Sequence, residues 1–178
     1  MQSPTSIFIV GPMGAGKTTV GKRLAELRGL EFADSDQEVE RRTGVDIAFI
    51  FEKEGEAGFR KREKQVIAEL TARPRVVLAT GGGAVLDADN RQHLAGRGFV
   101  VYLHATVEQQ LRRIGHASHR PLLQGVDQRQ TLEALLAARE PLYREIADLV
   151  LETGNRNARL LAQEIEQHLD RPAATGAA

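Results

Sequence analysis

The segment Gly11-Pro-Met-Gly-Ala-Gly-Lys-Thr-Thr19 constrains this chain more than any other stretch of it. It follows an apolar, β-branched run, Ser6 to Val10. It also opens a stretch, Lys17 to Arg28, in which Val20, Leu24 and Leu27 recur at i, i+4 and i+7 on one helical face. Strand, glycine-rich loop and helix in that order match the G-x-x-x-x-G-K-[ST] pattern at Gly11, Gly16, Lys17 and Thr18. The same alternation continues down the chain. Further strands are expected at Glu31 to Ala33, Arg75 to Thr80, Phe99 to Leu103 and Asp148 to Leu151. Helices are expected at Ser35 to Arg42, Ile47 to Glu54, Gly58 to Thr71, Asp87 to Leu94, Val107 to Ile114, Arg129 to Glu140 and Asn157 to Leu169. Continuous apolar strands separated by helices imply a parallel sheet covered on both faces, hence a three-layer α/β architecture.

At 178 residues, with no Pro/Gly/Ser linker, the chain reads as one domain over residues 1–170, followed by a tail, 171–178, too poor in packing residues to be ordered. The 24 Lys and Arg balance 24 Asp and Glu, so no overall field draws the chain to nucleic acid or to an anionic membrane. Any anion it binds must be held locally. The absence of cysteine excludes disulfides, thiolate metal sites and a cysteine nucleophile, and suits a reducing cytoplasm. Residues 1–6 carry no basic side chain and the apolar run after them is short, so neither export nor membrane insertion is expected. Without a long heptad pattern, a monomer is the expected state.

Glycines at 11, 14 and 16 let the backbone turn back with its N–H groups inward, forming a concavity for polyphosphate at a helix N-terminus. The stretch Gly14, Ala15, Gly16, Lys17, Thr18 and Thr19 is the expected cradle. Lys17 adds charge at the β- and γ-phosphates, and the Thr18 hydroxyl suits a Mg²⁺ coordination position. The plain alternative is a glycine-rich strand-to-helix turn with an incidental Gly-Lys-Thr. Loop and context together imply a bound nucleoside triphosphate with Mg²⁺, but they leave the acceptor open.

In an open parallel sheet, ligands gather beyond the carboxyl ends of the strands. After the second strand stands Asp34-Ser-Asp36, which serves either to cap the following helix or to hold a metal and accept a hydroxyl proton. After the third comes Thr80-Gly81-Gly82-Gly83, where an aspartate for Mg²⁺ is often found and is missing. Three glycines suit either close approach of main chain to a ligand or tight helix–strand packing.

Together with Phe59-Arg60, Arg120-Pro-Leu-Leu123 and Arg139-Glu-Pro-Leu-Tyr143, these motifs resemble, in order and over roughly residues 6–169, the shikimate kinase family. The resemblance implies a nucleoside-monophosphate-kinase-like P-loop fold with five parallel strands and a mobile lid at about 112–125. It also implies ATP-dependent phosphorylation of the 3-hydroxyl of shikimate, on the route through chorismate to aromatic amino acids. On the same grounds Asp36 is the residue that binds shikimate hydroxyls and is the proposed base, and Asp34 assists Mg²⁺. Arg60 and Arg139 would hold the substrate carboxylate, and Gly82 and Gly83 would contact the substrate through their backbone. Arg113 and Arg120 would accompany the nucleotide, with Arg120 neutralising charge during transfer, and Arg156 would stack on adenine.

Planar guanidinium groups suit a carboxylate because they pair with it bidentately, although arginines on a solvated helix face with i,i+4 partners look the same in sequence. Phe51 and Phe59 suit either an apolar wall beside the ring or the core. His116 and His119 lack a carboxylate or cysteine partner nearby and read as exposed rather than as zinc ligands. Two rivals remain: a gluconate kinase sharing loop and lid, and a non-catalytic nucleotide sensor.

Overall fold

In the computed structural model, residues 6–115 and 121–170 are described. Five parallel strands, β1 (Ile7–Val10), β2 (Glu31–Asp34), β3 (Val76–Ala79), β4 (Phe99–His104) and β5 (Leu149–Glu152), form a sheet of order β2-β3-β1-β4-β5. Residues of β1 alternate between the two faces, and both faces are covered, which is why its four residues are all apolar and fully buried. Ile7 and Ile9 point to α1 (Lys17–Arg28), through Val20 and Leu24, and to the C-terminal helix Ala158–Asp170, through Leu161 and Ile165. Phe8 and Val10 belong to the other core. That core is shared with α2 (Ser35–Thr43), α3 (Ile47–Thr71), α4 (Ala88–Arg97) and, beyond α5 (Val107–Ile114), with α6 (Gln128–Ile146). The C-terminal helix is α7.

The two helices expected at Ile47 to Glu54 and Gly58 to Thr71 are found as the two halves of α3, separated by a break at Gly55 with φ 71° and ψ −179°. Two other expectations are corrected by packing. The helix expected to stop at Glu140 runs on through Pro141 to Ile146. An interior proline costs about 3 kcal/mol, but Pro141 faces solvent, and the next turn buries Tyr143 and Ile146. Burying such side chains is worth about 1.5–3 kcal/mol each, which offsets the proline. Leu27, expected on the buried stripe of α1, is 38% exposed, whereas Leu24 is fully buried. No helix among the described residues is long and apolar enough to cross a membrane.

Because β1 lies between β3 and β4, the chain leaves β1 for one side of the sheet and later crosses to the other, which opens a crevice beyond its carboxyl end. The loop after β1, the start of α2 after β2 and the glycines after β3 all meet there. The packing difference on α1 yields a direct check: Leu24→Ala should cost about 2–5 kcal/mol in urea unfolding, and Leu27→Ala about 0.5 kcal/mol or less. Equal losses would contradict the placement of α1.

Candidate active site

Gly11 opens the loop at φ +147°, and a Cβ there would stand 2.5 Å from the carbonyl oxygen of Leu103, so only glycine fits. The Lys17 ammonium reaches back across the loop to the carbonyls of Gly11 and Pro12, each at 2.8 Å. Gly14, Gly16, Lys17, Thr18 and Thr19 face one cavity together with Asp34, Asp36 and Arg113. Ala15 does not line it; it is buried, and its N–H turns to the Pro12 carbonyl at 3.3 Å.

Asp34 caps the following helix, and its second carboxylate oxygen turns to the phosphate loop. Its Oδ1 accepts from the backbone N–H of Asp36 at 3.0 Å and of Gln37 at 3.1 Å, capping α2. Its Oδ2 accepts from the Thr18 hydroxyl at 2.7 Å. A hydroxyl and a carboxylate side by side are hard oxygen donors. They suit a Mg²⁺ ion whose remaining positions come from phosphate and water, since such ions are seldom caged by protein alone. Among the described residues no cluster of three or more His, Asp or Glu forms a richer metal site.

A second cavity adjoins the first and shares Met13, Asp36, Gly81 and Gly82 with it. Arg60, Glu63, Gly83 and Arg139 line its polar side, and Ile47, Phe51 and Phe59 its apolar side. Phe59 is a core residue and Phe51 packs against the same core; their rings are 5.2 Å apart, and both face the hollow. Arg139 is buried, with 4% exposure, which excludes the solvated-face alternative for it. Arg60 keeps helical partners, Glu63 at 2.8 Å and Glu56 at 3.2 Å, while still facing the cavity.

The triple glycine is explained by what stands against it. A Cβ on Gly81 would lie 2.5 Å from Asp36 Oδ1 and 2.9 Å from Glu63 Oε2, and one on Gly83 would collide with the Arg60 guanidinium. The loop is therefore bare so that charged side chains can crowd onto it. Its position is pinned by the Ser35 hydroxyl, which accepts from the Gly81 N–H at 3.0 Å.

That crowding sets the electrostatics. Burial, aided by the negative charges of Glu63 and Asp34, pushes Asp36 up to about 7, against the pull of Lys17 and Arg60. Burial likewise raises Glu63, although Arg60 and Arg139 oppose it. Burial works against the charge of Arg60, but Glu63 and Glu56 more than offset it and hold it above its ordinary value. Asp36 Oδ1 and Glu63 Oε2 are buried without a hydrogen-bond partner, as expected of oxygens meant to meet a ligand's hydroxyls.

Beyond the loop, Arg113 donates to the Gly14 carbonyl and the Thr153 hydroxyl, each at 3.0 Å, and to the Gly154 carbonyl at 2.6 Å, tying the loop to the turn after β5. Arg156 is paired with Glu164 and borders a shallow hollow with Arg112, Arg113 and Asn155. Arg120, His116 and His119 lie outside the described residues, as does the expected tail at 171–178. Pro121 and Leu122 line the second cavity.

Sequence reasoning missed Met13, Glu63 and Tyr143, which stand in or against the hollow. For Glu63 the available signal was its i+3 spacing from Arg60.

The raised value of Asp36 carries a stability consequence. Its folded-state value, about 7, lies above the ordinary 3.8, so the associated stability is fully present below about pH 4 and is lost as pH rises through 7. Asp36→Asn should therefore unfold at higher urea than the parent at pH 8, with the advantage vanishing toward pH 4. An advantage independent of pH would contradict this picture.

Comparisons with known proteins agree with the geometry. A family model described as shikimate kinase matches residues 13–170. A shikimate kinase of Methylococcus capsulatus is 57% identical over 165 residues, covering 93% of this chain and 92% of that one. A structure titled as shikimate kinase from Acinetobacter baumannii in complex with shikimate superposes with a TM-score of 0.91 at 57% identity, covering 93% of this chain and 92% of that one. A gluconokinase from Sinorhizobium meliloti, at 21% identity and a TM-score of 0.61, shares the fold alone. With its phosphate loop, its charged glycine-lined hollow and this degree of likeness over nearly its whole length, the chain belongs to the shikimate kinase family.

Proposed function

We propose that this protein transfers the γ-phosphoryl group of ATP to the 3-hydroxyl of shikimate, giving shikimate 3-phosphate and ADP. The observation that carries this reading is the wall shared by the two cavities: Asp36, Gly81 and Gly82 face both, so a terminal phosphate on one side meets a ring alcohol on the other. Arg60 and Arg139 fix the ring by its carboxylate, and the Gly82–Gly83 backbone and the Phe51–Phe59 wall fix its plane. Asp36 orients the attacking hydroxyl. A carboxylate held near 7 is also matched to accept that proton at neutral pH. Gly14, Gly16, Lys17, Thr18 and Thr19 hold the phosphates, with Thr18 and Asp34 beside Mg²⁺. When bound, the ion supplies charge neutralisation on the phosphates. Arg120 belongs to a lid at about 112–125 that closes over them. Arg113 and Arg156 border the adenine side. The cysteine-free, charge-balanced sequence supports a cytoplasmic monomer that engages neither nucleic acid nor membrane.

Catalysis here rests on positioning and electrostatics, and the variants separate the two. Arg60→Ala should raise KM for shikimate roughly 10- to 100-fold while leaving KM for ATP nearly unchanged; equal effects on both would remove its carboxylate role. Asp36→Asn should lose turnover while retaining ATP binding, and a near-normal kcat would take Asp36 out of the mechanism. The reading as a whole is tested by coupled ADP release with shikimate or gluconate as sole acceptor. Turnover with shikimate is expected. Preference for gluconate would favour the rival kinase, and tight ATP binding without ADP production from any hydroxy acid would favour a nucleotide sensor.

A further inference from the structure

The motif Arg139-Glu-Pro-Leu-Tyr143 ends in a tyrosine to which phosphoryl transfer gives no task. Tyr143 is fully buried, and its ring stacks on Tyr102 with centroids 5.0 Å apart and planes inclined at 27°. Its hydroxyl donates to the Gly82 carbonyl, 2.5 Å away and 61 positions earlier in the chain. Arg139, one turn back on α6, brings its guanidinium to the same phenol, and Nη1 also stands 3.4 Å from where a Cβ on Gly82 would lie. One oxygen atom thus sits between a glycine peptide and an arginine that both line the acceptor hollow.

A peptide unit is a rigid plane, so holding the carbonyl of Gly82 also sets the direction of the Gly83 N–H across the same bond. Between glycines no Cβ restricts the rotation of that plane. We propose that Tyr143 is a positioning residue for the acceptor: its hydroxyl sets the Gly82–Gly83 peptide and the Arg139 guanidinium at a fixed angle to each other, ready for the ring and its carboxylate. Burial pushes the phenol up to about 12, against the pull of Arg139 and Arg60, so the group stays a donor across the working pH range. The proposal rests on the reading of shikimate as acceptor.

The test begins from parent enzyme that turns over shikimate; a parent inactive with shikimate would count against the proposed function rather than against Tyr143. Tyr143→Phe, which removes one oxygen, should raise KM for shikimate about tenfold and leave KM for ATP within about twofold. Tyr102→Phe removes the equivalent oxygen from a buried hydroxyl without a partner and should change neither. An unchanged KM for shikimate, or a parallel rise for both substrates, overturns the proposal. Should Tyr143→Phe fail to fold, the chain's two tyrosines provide a second measurement. In Tyr102→Phe, 3-fluorotyrosine labels position 143 alone, and its ¹⁹F signal should shift on saturation with shikimate but not with ADP. A signal indifferent to shikimate overturns the proposal as well.

Discussion

Asp36 and Glu63 present Oδ1 and Oε2 to the same residue, Gly81, and neither oxygen has a hydrogen-bond partner. Two buried carboxylates so placed repel each other and resist ionisation. Arg60, at 2.8 Å from Glu63, and the buried Arg139 supply the compensating charge. Such a cluster is costly unless a ligand completes it. The expense goes into a hollow whose hydrogen-bonding groups are already aimed, so little reorganisation remains when a hydroxylated carboxylic acid enters.

The fold exists around that cluster in a specific sense. Each strand end on one side of the switch point contributes one component: β1 the phosphate loop, β2 the Asp34–Asp36 turn and β3 the bare glycines. Asp34 joins two of these, since one oxygen caps α2 and the other meets Thr18 at the start of α1. Arg113 joins the phosphate loop to the turn after β5, and Tyr143 joins α6 to the glycine loop. Interactions between distant parts of the chain, rather than within single elements, hold the two cavities against each other.

Much of this was legible in sequence because it is enforced locally. The phosphate loop is a backbone shape that glycines impose, and the strands are runs whose apolar character follows from burial on both faces. Other features depend on partners far away in the chain and leave no local mark. Glu63 stands among Lys61, Arg62 and Lys64, where a buried glutamate looks like any solvated charge. The hydroxyl of Tyr143 finds its acceptor 61 residues upstream. Pro141 reads as a helix stop until the burial of Tyr143 and Ile146 outweighs it, and Leu27 reads as buried until α7 is seen to cover the neighbouring part of α1 instead. The glycine triplet was noticed, but its cause, room for Asp36, Glu63 and Arg60, was visible only in three dimensions.

The central claim is spatial: two cavities that share Asp36 bring the terminal phosphate and one ring hydroxyl face to face. It is tested most directly by a crystal structure of the protein with shikimate, Mg²⁺ and a non-hydrolysable ATP analogue. The account predicts the 3-hydroxyl oxygen against Asp36 and about 3–3.5 Å from the γ-phosphorus, in line with the bond to be broken, with the carboxylate between Arg60 and Arg139. A ring turned so that its carboxylate meets the nucleotide, or bound away from Asp36, would contradict it.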